Sequence, residues 1–240
     1  METLKYWMTG IQTYIKYWQG VEKCFSNPNF KTLHDIFMQL DVKTLGTQMI
    51  DDTRFVVIDT ETTGLHAYSG DEIISICMLE MEGLKLTGRE YKTYVNPQRN
   101  ISDESTAIHG IKNEDVVDSP KITEILPDIV EFIDKSVIVG HHLNFDIRFL
   151  NKTFQKSLLC KLPHLWIDTM MLYIAYSGRM GHYTLDEITQ ICKVENPARH
   201  TAYGDAMATA LIFQRITSRM LASNKHVNDL VKTQFEVGHF

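Results

Sequence analysis

Three observations predict an α/β protein built on one mixed sheet flanked by helices. Residues 55–58, Phe-Val-Val-Ile, form a continuous apolar and mostly β-branched run, the composition of a strand buried on both faces, and Gly64 supplies the break that ends it. Two strand-like segments follow, 72–81 and 86–95, joined by a hairpin turn at Glu82-Gly83. A further apolar stretch, Val137 to Val139, stands between helical patterns. A strand meander followed by a strand set among helices is the pattern of a single sheet covered by helices.

Ahead of the sheet, Leu4, Trp7, Met8, Ile11, Tyr14, Ile15, Trp18 and Val21 recur with the spacing of one helix face. This helix is expected to end at Gly20 or in the Ser26-Asn27-Pro28-Asn29 cluster, and Leu33, Ile36, Phe37 and Leu40 predict a second, shorter one. Residues 1–50 are therefore expected as a helical N-terminal extension. Its apolar face packs on the main domain, closes a dimer, or receives a polymerase or other protein partner. Residues 51–222 are expected to form the main domain and 223–240 a C-terminal tail. Within that domain, 96–118 is polar, Ile122, Ile125, Leu126, Ile129, Phe132 and Ile133 mark a helix after Ser119-Pro120, and Gly140 leads into another that carries Phe145, Ile147, Phe149, Leu150 and Phe154. Three further helices are predicted at 166–176, 184–192 and 205–220.

The 240 residues, 44% hydrophobic and 22% charged, suffice for one substantial core with an appendage. A formal net charge of −6 and a pI near 5.9 exclude a broad basic surface that grips long duplex through many phosphates, so any nucleic-acid contact is expected to be local. The four cysteines, Cys24, Cys77, Cys160 and Cys192, show no zinc-type spacing and read as buried thiols of a reducing compartment. No apolar run reaches the length of a membrane span, and the N-terminus lacks a signal-peptide core, so the chain is expected to be soluble and cytoplasmic.

The chemistry is concentrated in FVVIDTETTGL, residues 55–65. Side chains alternate along a strand, so Asp59 and Glu61 point to one side of it and share one small volume. Such a pair repels itself unless hard cations lie between the oxygens, which points to Mg²⁺ or Mn²⁺. A buried strand that runs into a solvated, Thr-rich turn fits the stretch taken alone equally well. Asp146 falls on the first turn of the helix after Gly140, and Asp205 starts the last long helix. Both are within reach of the same strand end. Four carboxylates with no evident cationic partner carry a charge of about −4, which two divalent ions would neutralise. His200, five residues before Asp205, is placed to take a proton from the attacking water. A loop histidine and helix-capping aspartates are the plainer readings of the same residues.

These residues resemble a family, the DEDDh (DnaQ-like) 3′-5′ exonucleases, and within it the proofreading subunits of bacterial DNA polymerase III. The matching pieces are FVVIDTETTGL at 55–65, STAIHGI at 105–111, VGHHLNFDIRFL at 139–150 and RHTAYGDAMATA at 199–210, in the family's order. The resemblance covers 55 to about 215 and leaves 1–50 unmatched. It implies a ribonuclease H-like core with a mixed five-stranded sheet. It further implies two metal ions held by Asp59, Glu61, Asp146 and Asp205, with His200 as general base. Leu65, Ile108, His109 and Phe145 match positions that pack on the 3′-terminal nucleotide, with plain core packing the rival for Ile108 and Phe145. Backbone groups of Thr60 to Thr63 are expected at the terminal sugar hydroxyl, with Thr60, Thr62 and Gly64 counted among the substrate-binding residues. Where the family commonly has Asn after the histidine of the second block, this chain has His142. The implied activity is metal-dependent release of nucleotides from single-stranded 3′ ends, DNA favoured over RNA; a non-catalytic binder of 3′ ends is the reading from another class.

Overall fold

The computed structural model describes residue 33 and residues 39–158, 161–220 and 225–237. The helix read at 4–21, most of the one read at 33–40, and Cys24 and Cys160 lie outside the described residues. In chain order the elements are α1 (Val42–Thr47), β1 (Arg54–Thr62), β2 (Ile73–Glu82), β3 (Lys85–Tyr94), α2 (Asp103–His109), α3 (Asn113–Val116), α4 (Ile122–Ile133), β4 (Val137–Gly140), α5 (Asn144–Leu158), β5 (Trp166–Asp168), α6 (Thr169–Ser177), α7 (Leu185–Cys192), α8 (Ala202–Met220) and α9 (Val227–Val237).

The sheet runs β3-β2-β1-β4-β5, with β1 at its centre, antiparallel to β2 and parallel to β4. β1 is buried on both faces, and its alternation divides the core in two. Phe55 and Val57 face α8, where Ala206, Ala210, Phe213 and Ile216 join them; the Phe55 and Phe213 rings lie 5.1 Å apart. Val56 and Ile58 face the other layer and pack with Ile125 and Ile129 of α4 and Phe149 and Leu150 of α5. The same parity decides where the polar residues at the strand's end go: Asp59 and Glu61 fall on the α8 side, Thr60 and Thr62 on the α5 side.

Two expectations are corrected. The fifth strand is Trp166–Asp168, which the sequence reading assigned to the start of a helix at 166–176. Three residues show no periodicity of their own, and the helix begins only at Thr169, where the Asp168 side chain caps it by accepting the Met170 N–H at 2.9 Å. The stretch 223–240, expected as a tail, contains α9, with Val227, Leu230 and Gln234 buried. The Gln234 side chain accepts the Asp168 N–H at 2.9 Å and donates to the Trp166 carbonyl at 2.8 Å. At the other end of the domain, Ile50 N–H donates to the Lys225 carbonyl at 3.0 Å and Val227 N–H to that of Gln48 at 3.0 Å. Residues on both sides of positions 50 and 222 thus share one core, because Leu45, Ile50, Val227 and Leu230 complete the apolar layer beneath α8.

Candidate active site

β1 delivers two carboxylates to one point and α8 adds a third. Ligand oxygens of Asp59, Glu61 and Asp205 all lie within 4.8 Å of one another, a group that can hold a metal ion. Asp146 is buried one step away, across the strand. It rides the first turn of α5, on the side that strand parity gives to Thr60, and its Oδ1 accepts the Thr60 hydroxyl at 2.6 Å. The turn that carries it is fixed from β5: the Asp168 carboxylate accepts the N–H groups of Leu143 at 2.9 Å and His142 at 3.3 Å.

The electrostatics are those of a crowded, dry acidic site. Burial first, and then the charges of Asp146, Asp205 and Glu61, push the Asp59 carboxyl well above the usual carboxylate range. Burial, then Asp205 and Asp146, raise Glu61 to about 7. Burial raises Asp146 to about 7 against the opposing Thr60 hydrogen bond. Burial also raises Asp205, opposed by Asn196, Arg199 and His200. A divalent cation reverses this balance, and the hard oxygen donors present fit one.

The sequence shows no evident cationic partner for these acids, and the structure supplies one. The Arg199 guanidinium pairs with Asp205 and, at 2.5 Å, with Asp186 of α7, while the Asn196 side-chain amide donates to Asp205 Oδ1 at 2.7 Å. Both oxygens of Asp205 are thus engaged. Arg199 was visible within RHTAYGDA, six residues before Asp205, a separation that lets a loop fold back on the first turn of a helix. His200 occupies that loop in a left-handed conformation, φ 62°, and its backbone hydrogen bond helps hold Asp205. The fold-back is tight: a Cβ on Gly204 would lie 2.0 Å from the Ala198 carbonyl oxygen, so only glycine permits it.

A cavity of about 340 Å³ opens on the acids and is lined by Asp59, Asp205, Arg199, Phe145, His142 and His182, among others. His142 rests on His182 with ring centroids 4.5 Å apart, and its Nε2 lies 3.3 Å from the Tyr183 carbonyl oxygen. Its neighbour His141 is partly buried, and this desolvation lowers its pKa to about 3. His182, just before the α7 cap Thr184, carried no sequence signal beyond its residue type. Of the residues expected at the terminal nucleotide, Phe145 lines this cavity and His109 lines a separate one. Leu65 and Ile108 are 72% and 59% exposed, so neither is a core residue. Phe145 is half-buried against Phe149, 4.9 Å between centroids. His109 is buried, its Nδ1 accepting the Ile111 N–H at 3.0 Å, and burial lowers its pKa. The Thr60 and Thr62 side chains are engaged by Asp146 and by the Gly64 carbonyl, at 2.7 Å for the latter.

A mixed five-stranded sheet whose central strand ends in clustered carboxylates, with helices on both faces, defines a ribonuclease H-like nuclease. The RNase_T exonuclease family model matches residues 56–213, and the chain belongs to that family. DNA polymerase III subunit epsilon of Rickettsia felis is 36% identical over 187 residues, covering 75% of this chain and 81% of that one. A DNA polymerase III subunit epsilon-like protein of Rhodobacter capsulatus is 37% identical over 183 residues, 74% of this chain but only 26% of the longer relative. Among solved structures, exonuclease X in complex with 5′ overhanging duplex DNA superposes with a TM-score of 0.57 at 25% identity, over 74% of this chain and 99% of that one. Exonuclease I shares the fold at 16% identity, TM-score 0.63, over 77% of this chain and 43% of that one. Among the described residues no helix is long and apolar enough to cross a membrane.

Proposed function

We propose that this chain is a metal-dependent 3′-5′ exonuclease that removes nucleoside 5′-monophosphates from single-stranded DNA ends. The observation that carries the reading is the convergence of Asp59, Glu61 and Asp205 at the end of the central strand, with Asp146 beside them. These four carboxylates would hold two Mg²⁺ or Mn²⁺ ions, which supply the positive charge that the acids lack and that the transition state of phosphodiester hydrolysis requires. Leu65 and Ile108 are exposed, and with Phe145 and His109 they would pack on the terminal nucleotide, while backbone groups of Thr60 to Thr63, with Gly64, would bind its sugar. With the 3′ end so placed, water attacks the last phosphodiester and His200 accepts its proton. The new oxygen–phosphorus bond forms as the bond to the 3′ oxygen of the preceding nucleotide breaks, and that oxygen takes a proton from solvent water as it leaves.

The relatives named as DNA polymerase III subunit epsilon support DNA as the substrate and a polymerase as a partner. A labelled single strand, incubated with Mn²⁺ or with EDTA, tests the reading. Mononucleotides should appear from the 3′ end with Mn²⁺ only, a bulky 3′ block should stop their release, and a 5′ block should not. Cleavage of a circular strand would overturn exonuclease action. Faster digestion of the matched RNA would replace DNA by RNA as the substrate.

A further inference from the structure

Beyond Asp146, helix α5 carries Arg148, Lys152 and Lys156 at intervals of four residues. At 100° per residue these cations and Phe145 fall within an arc of about 80°, so one helix face leads away from the site cavity for about 12 Å from Arg148 to Lys156. The middle cation fastens this face to the loop that follows β1. Lys152 pairs with Glu72 at 2.6 Å and donates to the Asp71 carbonyl at 2.6 Å, and Arg99 pairs with Asp71 at 3.1 Å. Beyond them lies a cleft of about 650 Å³, lined by Arg99, Lys121, Lys152 and Lys156 among others. Once Asp71 and Glu72 are matched with Arg99 and Lys152, the exposed Arg148, Lys156 and Lys121 outnumber the further acid beside them, Glu124, which accepts the Lys121 N–H at 2.8 Å, and leave an excess of positive charge in a chain of net charge −6. At the near end Arg148 lies 5.8 Å over the ring of Tyr68, which is 59% exposed and donates its hydroxyl proton to Gln155 Oε1 at 3.1 Å. Cations in line beside an exposed aromatic face are the two elements from which single-strand binding surfaces are made.

We propose that this face is a track for the phosphodiester backbone of the single strand on the 5′ side of the terminal nucleotide, running from Phe145 past Arg148 to Lys156 and Lys121, with Tyr68 stacking on a base. The inference rests on the exonuclease reading and adds to it the direction the strand takes and a footprint beyond the terminal nucleotide. Lys152 and Arg99 hold the loop, and the other three cations meet the phosphates.

Equilibrium binding in Mn²⁺ tests it, with oligodeoxythymidylates of about three and about ten nucleotides whose 3′-terminal linkage is non-hydrolysable. The parent should bind the longer strand more tightly, and salt should erode that gain. The full-length Arg148→Gln/Lys156→Gln/Lys121→Gln variant should lose about tenfold of the gain, and its log–log salt slope on the longer strand should be shallower by about 2, the effect of three lost phosphate contacts. All three side chains are exposed, so an unchanged melting temperature verifies the variant's fold. The track is overturned if gain and slope match the parent's, if affinity for both lengths falls by one common factor, or if a parent that releases mononucleotides shows no length gain. A parent that neither binds nor degrades strands overturns the exonuclease reading as well.

Discussion

Glu61→Gln should stabilise the metal-free protein, and only at neutral to alkaline pH. In the fold the Glu61 carboxyl is raised from 4.5 to about 7 by burial and by Asp205 and Asp146. Below the unfolded value both states hold the proton and nothing is lost. As pH rises through the interval, the unfolded chain releases its proton first, so the folded state binds more protons and stability falls; above about 7 the penalty is complete. At about 1.4 kcal/mol per pH unit the interval amounts to roughly 3 kcal/mol. Glutamine carries no charge and escapes this penalty. In EDTA at about pH 8 the variant should therefore melt about 6 to 12 °C above the parent, given 2 to 4 °C per kcal/mol for a chain of this size. At about pH 5 the advantage should shrink below about 1 kcal/mol. Thermal melts at both pH values decide the matter. Equal melting at pH 8, or an advantage of the same size at pH 5, would show that Glu61 is not held in a repelling acidic cluster.

Replacing His200 by Ala should lower turnover roughly 10²- to 10⁴-fold and leave metal binding largely intact, whereas His142→Ala should lower it far less; equal losses on one oligonucleotide in saturating Mn²⁺ would mean the base is misassigned. Asp59→Asn should be at least as stable as the parent in EDTA but gain little from Mn²⁺, while the parent gains about 2.7 kcal/mol at a hundred times Kd. Paired melts that show equal gains would make Asp59 a structural residue. Arg199→Gln removes the guanidinium that pairs with Asp205, so in EDTA it should be less stable by about 1.5 to 3 kcal/mol, and Mn²⁺ should narrow that difference. A deficit unchanged by Mn²⁺ would place the role of Arg199 in its link to Asp186 alone.

The central strand was legible because burial on both faces leaves an unbroken apolar run, and the period of two then placed Asp59 and Glu61 together. Asp146 was legible as a first-turn residue, but not its side of the strand: parity sends Thr60 to the α5 face, and only the packing of α5 there reveals that Asp146 meets Thr60 first. β5 escaped because three residues cannot display a period, and its strand character comes from pairing with β4. Arg199 escaped as a charge partner because its role depends on a loop that closes against Gly204, a contact set by backbone approach more than by residue pattern. The exposure of Ile108 could not be separated from core packing by composition, since it is an aliphatic residue beside the buried His109.

The pairing of Gln234 with β5 links the far end of the chain to the acids. An amide side chain offers one acceptor and one donor, as a peptide group does, and here it meets the Asp168 N–H and the Trp166 carbonyl, in the manner of a single link of a sixth strand. That mimicry closes an edge that would otherwise invite another chain. It also steadies Asp168, whose carboxylate holds the Leu143 and His142 amides at the turn from which α5 departs. The aim of Asp146 is therefore relayed through one continuous line of hydrogen bonds from a helix that carries none of the acids, so loosening α9 would be felt at the strand end as a misdirected carboxylate.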